Sequence, residues 1–288
     1  MRLNRELFQE PDLGEPHIEV PNLSEKVILV IGASRPSGFG YNFGKLAATE
    51  GNAKVILTAS KERSEKRLAK YTSFQFDTAV IDVMDDSHYS RLENQIKRDY
   101  GRLDVVVVTP AFLNPEYLKV GTSWDDIPKS FQEECMAITV HPVRKILDSF
   151  TELLSSSQGV VYGISFPIKN LPSYTIGYAK EKLERLITDE LAQKWQGNNI
   201  RVNVLSIGPF NSFSSSVIPG YQILHRLQEL VKCQLPSLGY LVRESLCTIS
   251  DNKTGHIYVI DGGLSKVMTK YEDKVNKIFG QFSPSANN

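Results

Sequence analysis

Seven short apolar runs, rich in β-branched residues, recur along the chain: Lys26–Ile31 (KVILVI), Lys54–Thr58 (KVILT), Phe76–Ile81, Asp104–Thr109 (DVVVVT), Gly159–Ile164 (GVVYGI), Ile200–Ser206 (IRVNVLS) and His256–Ile260 (HIYVI). A strand with one wet face would alternate apolar with polar. Near-continuous apolarity instead predicts strands covered on both faces, as in a parallel sheet. Between the runs lie stretches of helical length with apolar positions three and four apart, such as Leu183, Leu186, Ile187 and Leu191. Strand alternating with helix predicts an α/β fold, a doubly wound parallel seven-stranded sheet in a single domain with helices on both faces. An α/β layout without a ligand crevice fits the same rhythm, so the rhythm speaks to layers and not to chemistry.

The flanks differ from this middle zone. Residues 1–25 are polar and punctuated by proline, as expected of an arm lying across the domain surface. The domain proper is expected over 26–268, and residues 269–288, ending in SPSANN, read as a partly ordered tail. With 288 residues the chain can bury a large core and needs neither disulfides nor a metal for stability. Its 33 Lys and Arg balance 33 Asp and Glu, which argues against nucleic acid or an anionic membrane surface as the main partner. Cys135, Cys233 and Cys247 are scattered, the pattern of reduced thiols in a cytosol-like compartment. No apolar run approaches the ~18 residues of a membrane span. The first residues lack the apolar core of a secretion signal. The expected location is cytoplasmic, or an organelle stroma or matrix if a transit peptide has been removed.

The first strand runs into Gly32-Ala33-Ser34-Arg35-Pro36-Ser37-Gly38-Phe39-Gly40, followed by a helical pattern through Phe43, Leu46 and Ala47. Strand, glycine-rich turn and helix together form the context of a dinucleotide fingerprint. Gly32 permits the tight exit from the strand, while Gly38 and Gly40 let backbone approach a pyrophosphate at the helix N-terminus. Glycines that merely turn the chain would give the same letters. At the end of the second strand, where an acid would accept from an adenosine 2′-hydroxyl, stand Ser60, Lys61, Glu62 and Arg63. Ser60, Lys61 and Arg63 suit a 2′-phosphate, favouring NADPH over NADH. Alternatively, Lys61 and Arg63 belong to a solvated helix start and Glu62 turns inward.

Further landmarks follow in order: Asp82-Val83 after the third strand, Thr109-Pro110-Ala111 after the fourth, Ala179-Lys180 with Leu183-Glu184, Ile200-Arg201-Val202-Asn203, Gly208-Pro209, and Asp261-Gly262-Gly263. Together with the glycine loop they resemble the short-chain dehydrogenase/reductase superfamily, a Rossmann-type fold, across nearly the whole of 26–268. Ordinary members have three residues between the first two glycines, whereas five separate Gly32 from Gly38. That longer loop, with Gly38-Phe39-Gly40-Tyr41, is similar to the enoyl-acyl-carrier-protein reductases of the plant and apicomplexan kind. The resemblance implies an NAD(P)H-dependent reductase of an acyl thioester carried by acyl carrier protein or CoA, and a homo-oligomer, dimer or tetramer. It implies a nucleotide site built from Gly32, Ser37, Gly38, Phe39, Gly40, Ser60, Lys61, Asp82, Val83, Thr109, Ala111, Lys180, Gly208, Pro209 and Ser212, with Asp82 at the adenine amino group. Ala111 or Pro110 departs from the glycine common in relatives. Ser212 through Ile223 would form a substrate flap.

In this superfamily a Tyr hydroxyl stabilises the developing oxyanion and a Lys holds the nicotinamide ribose. Counting back from Ile200–Asn203 puts Lys180 at the lysine, and Tyr174 becomes the tyrosine, with five residues between them where relatives have six or more. A competing register sets Ser165, Tyr178 and Lys182 at the spacing of ordinary carbonyl reductases, with Tyr178 and Lys182 on one helix face. Moving the lysine by two residues rotates it about 200° around the helix. Tyr162 is expected in the core. His141 has no second ligand at metal spacing, so no metal is expected. Pro142 should bend the long helix that contains it. Three readings stay open: an enoyl reductase using Tyr174 and Lys180, a carbonyl reductase using Ser165, Tyr178 and Lys182, and a non-catalytic scaffold that binds nucleotide or protein.

Overall fold

Seven strands pair in parallel in the order β3-β2-β1-β4-β5-β6-β7. They are β1 (Val27–Ile31), β2 (Lys54–Ala59), β3 (Asp77–Val80), β4 (Val105–Val108), β5 (Val160–Ser165), β6 (Arg201–Ile207) and β7 (Ile257–Ile260), each within a residue or so of its expected run. The computed structural model describes residues 18–71, 73–112, 114–118, 122–168, 175–210, 212, 215, 235–271, 273 and 277.

Continuous apolarity has the expected cause. Along β1, Val27, Leu29 and Ile31 point into one core and Ile28 and Val30 into the other. In β4, Val106 and Val108 join the first core while Val105 and Val107 join the second. The second core is closed by α1 (Phe39–Thr49) and α9 (Leu238–Cys247). The first is closed by α3 (Asp86–Asp99), α4 (Lys129–Thr139), α5 (His141–Ser149) and α7 (Gly177–Arg185). The remaining helices are α2 (Glu62–Leu68), α6 (Thr151–Ser157), α8 (Ala192–Gln196) and α10 (Leu264–Lys270). Truncating one of these fully buried aliphatic side chains to alanine would cost about 2–5 kcal/mol.

Three local features bear on the expectations. The long helix does break at Pro142: α4 stops at Thr139 and α5 begins at His141, with the proline in its first turn, where a missing N–H costs no helical bond. Between α7 and α8, Leu186–Leu191 form a π-helical segment. The wider turn changes the angular register between Lys180 and the Ile200–Asn203 landmark, so counting residues along an ideal helix was an unsafe ruler there. Of the terminal segments, residues 1–17 and most of the tail lie outside the described residues. Leu23 is buried against the end of α1, and α10 ends at Lys270. Among the described residues no helix is long and apolar enough to cross a membrane.

Candidate active site

β1 and β4 are neighbours, yet successive strands spread outward from them in opposite directions. Such a switch point leaves a crevice beyond the carboxyl ends of the two strands. Here it holds a cavity of about 700 Å³, a size suited to a cofactor or drug-sized ligand.

Local sterics explain the glycines. Gly32 leaves β1 at φ +88°, and a Cβ there would meet Thr109 Oγ1 at 2.6 Å. Thr109 clamps the exits of β1 and β4 together by donating to Ile31 O at 2.7 Å. A Cβ on Gly40 would stand 3.0 Å from Val30 Cγ1 and 3.1 Å from Thr109 Cγ2, so a larger residue would force those side chains back from the start of α1. The helix is capped by Gly38, which has no side-chain acceptor for the first-turn N–H groups, and no acid stands in that turn. Its positive end therefore faces the cavity. Asn42, fully buried, holds the loop shape by donating from Nδ2 to Pro36 O at 2.6 Å and Gly38 O at 2.8 Å. Sequence reading missed Asn42, because a polar residue inside an apolar helix face carries no sign of what it bonds.

At the end of β2, Ser60 and Lys61 line the cavity and Glu62 does not. Glu62 is exposed and faces Lys66 one turn on, so the inward-turning alternative is not what the structure shows. Arg35 of the glycine loop also lines the cavity, with Arg67 of α2 close by and donating to Ser34 O at 3.4 Å. Burial and the neighbouring Arg67 charge both push the Arg35 guanidinium below its ordinary value. An anion placed there would relieve that repulsion. Neither arginine was singled out from the sequence, since only the fold brings residues 35, 61 and 67 together.

On the other side, Lys180 projects from α7 into the cavity wall, 5% exposed, and donates from Nζ to Ile164 O at 2.7 Å. Burial lowers its pKa to about 8, against the opposing pull of Cys135 and Glu184. Ile164, Ser165, Phe166 and Ile176 share this wall, with Glu134 and Ile138 of α4 and Phe210. Every residue expected at the nucleotide site, from Gly32 to Ser212, lines this one cavity. Gly208 makes its close approach to the Asp261 backbone, where a Cβ would lie 2.7 Å from Asp261 Cα. Two buried hydroxyls on the wall, Ser37 Oγ and Ser165 Oγ, have no hydrogen-bond partner among the described residues. A phosphate- and ribose-bearing ligand would satisfy such groups, so the donor set fits a dinucleotide.

The competing register is not brought together. Ser165 lines the cavity, but Tyr178 is exposed, stacked on Trp124 with centroids 4.7 Å apart, and Lys182 Nζ lies 5.1 Å over the same ring. Spacing of four put both on one helix face, but that face points away from the cavity. Tyr162 is fully buried, its hydroxyl accepting from Thr248 Oγ1 at 3.0 Å, as a core residue. Tyr174 lies outside the described residues, as does the flap over 213–214 and 216–223; Ser212 and Ser215 are described and line the cavity.

A family model described as enoyl-(acyl carrier protein) reductase matches residues 32–265. The chain is 27% identical over 216 residues to an enoyl-acyl-carrier-protein reductase of Synechocystis named with NADH, covering 72% of this chain and 83% of that protein. To one of Staphylococcus aureus named with NADPH it is 25% identical over 260 residues, covering 85% and 99%. Among solved structures, the Bacillus cereus enoyl-acyl carrier protein reductase with NADP+ and an indole naphthyridinone has a TM-score of 0.75 at 19% identity, covering 84% of this chain and 96% of that one. The Anaplasma phagocytophilum protein of the same name, in complex with NAD, has a TM-score of 0.73 at 24% identity, covering 85% and 96%.

Proposed function

Because the chain belongs to the enoyl-(acyl carrier protein) reductase family within the short-chain dehydrogenase/reductases, we propose that it reduces the 2,3-double bond of an acyl thioester with a nicotinamide cofactor. The observation that carries this reading is the gathering of the glycine loop, the β2 end, Asp82, Lys180 and the Gly208–Ser212 turn around one cavity. A bound NAD(P)H supplies hydride to the substrate.

The chain's own residues bind, orient and move protons. The N-terminus of α1 and Ser37 Oγ receive the pyrophosphate. Lys180, protonated below pH about 8, holds the ribose hydroxyls and lends positive charge near the developing oxyanion. Tyr174 supplies the hydroxyl that stabilises that oxygen; Ile176, two residues further on, lines the cavity. Ile138, Phe166, Ile176 and Phe210 give the substrate side an apolar wall that excludes water. NADPH is the preferred cofactor, held at its 2′-phosphate by Ser60, Lys61 and Arg35. The substrate is an acyl group on acyl carrier protein or CoA. The working protein is a homo-oligomer in the cytoplasm or an organelle stroma or matrix, its catalytic domain spanning 26–268.

The test is absorbance at 340 nm with NADPH or NADH and crotonyl-CoA. Oxidation faster with NADPH supports the reading. Nucleotide binding without oxidation, followed by turnover of a ketone panel, would replace it with a carbonyl reductase. Absence of nucleotide binding would leave the scaffold reading.

A further inference from the structure

We propose that His88 is a positioning residue that makes the adenine wall of the nucleotide site, Asp82–Met84, dependent on pH. This rests on the nucleotide-binding reading above. All three wall residues line the cavity. The backbone is fixed from α3 and α5. Asp82 N–H donates to His88 Nδ1 at 2.9 Å, and Val83 O accepts from Tyr89 Oη at 3.0 Å and from Lys145 Nζ at 3.5 Å. Met84 N–H donates to Asp82 Oδ1 at 3.0 Å, so the carboxylate expected at the adenine is itself oriented by this turn.

One bond of the set depends on protonation. Nδ1 can accept only in the neutral imidazole that carries its proton on Nε2; the imidazolium has a donor on each nitrogen. On protonation two N–H groups face each other across 2.9 Å, so the bond that holds Asp82 is lost.

The surrounding charges allow this. His88 side chain is 18% exposed, and its Nε2 lies 3.6 Å from Asp85 Oδ2, a partner for an imidazolium that has let go of Asp82. Asp85 is held below the usual carboxylate range by bonds from Ser87, so it remains charged at mildly acidic pH. Other charged groups on the elements around it include Asp82 on its loop, Asp86 and Arg91 on α3, and Lys145 from α5, which is paired with Asp86 at 2.5 Å. Nucleotide binding, which needs the wall formed, is therefore strongest with His88 neutral and weakens as pH falls.

The test is calorimetric titration of NADP+ and NAD+ into the full chain at pH 7.5 and 5.5, for wild type, His88→Asn and His88→Leu. Asn places Oδ1, an acceptor that does not titrate, where Nδ1 stands. Wild-type Kd should rise about tenfold on acidification, roughly the loss of one hydrogen bond. The Asn variant should bind like wild type at pH 7.5 and change less than about twofold beyond any change the dinucleotide phosphate itself causes. The Leu variant should bind weakly at both pH values. NAD+ lacks the 2′-phosphate and separates that group's own titration. Parallel pH profiles for wild type and His88→Asn would overturn the proposal, as would wild-type affinity in His88→Leu at pH 7.5. Failure of wild type to bind either dinucleotide at pH 7.5 would overturn the nucleotide reading, and this inference with it.

Discussion

The two ends of the cavity are built from different materials. At the glycine loop the site is backbone and steric fit: Gly32 at positive φ, Gly40 against Val30 and Thr109, Asn42 stitching the loop. Around Lys180 it is side-chain chemistry, with an ammonium taken out of water and the Ser165 hydroxyl, which has no partner among the described residues, nearby. The first end should fail by losing shape, and thus ligand affinity together with stability. The second should fail by losing turnover while the fold persists, since a buried charge and unpaired polar atoms add little to stability.

The largest expected effect sharpens that contrast. Lys180→Met should lower kcat/KM by about 10³-fold or more, as loss of an electrostatic stabiliser does, without lowering Tm. In wild type, activity that needs the ammonium should be full below pH about 8 and fall as pH rises through it. The sign for stability is opposite: a folded-state pKa below the ordinary 10.5 means the buried charge opposes folding below pH about 8, and stability from this group grows between the two values. A pH–rate profile beside a pH–Tm profile would show both. Next in size, Gly40→Val should weaken nucleotide binding about 100-fold, because a 1 Å misplacement of a positioning element costs that order. It should also cost about 1–3 kcal/mol in stability from overpacking; titration and thermal melts check the two together. An unchanged Tm would break the distinction between the two ends.

Smaller effects probe the Arg35 and Lys61 end of the cavity and the face beyond it. Arg35→Ala should cut NADPH affinity about tenfold or more, the scale of a charge-assisted hydrogen bond, and leave NADH affinity nearly unchanged. Tyr178→Phe should alter kcat/KM by less than about twofold, since its ring is spent on Trp124 and Lys182. Steady-state kinetics decide that case.

What could be read in advance follows the same division. The strands were legible because burial on both faces writes itself as uninterrupted apolar runs. Gly32, Gly38 and Gly40 were legible because a positive φ at the first, and close neighbours at all three, leave little room for a Cβ. Lys180 was found by family pattern, although the π-helical segment made the count towards it uncertain; an i+5 turn leaves no trace in apolar spacing. Tyr178 and Lys182 show the converse: four-residue spacing says two side chains share a face, not which face meets the cavity. Arg35, Arg67, Asn42 and His88 went unread because each acts through contacts that only the folded loop and helix packing create.

The central claim, that reduction of an enoyl thioester takes place at the Lys180 end of this cavity, is tested most directly by Tyr174→Phe, with NADPH affinity and crotonyl-CoA turnover measured on the same preparation. The account predicts turnover reduced by at least about 10²–10⁴, the range of a lost acid–base group, with NADPH Kd within about twofold of wild type. Turnover retained in Tyr174→Phe would contradict it.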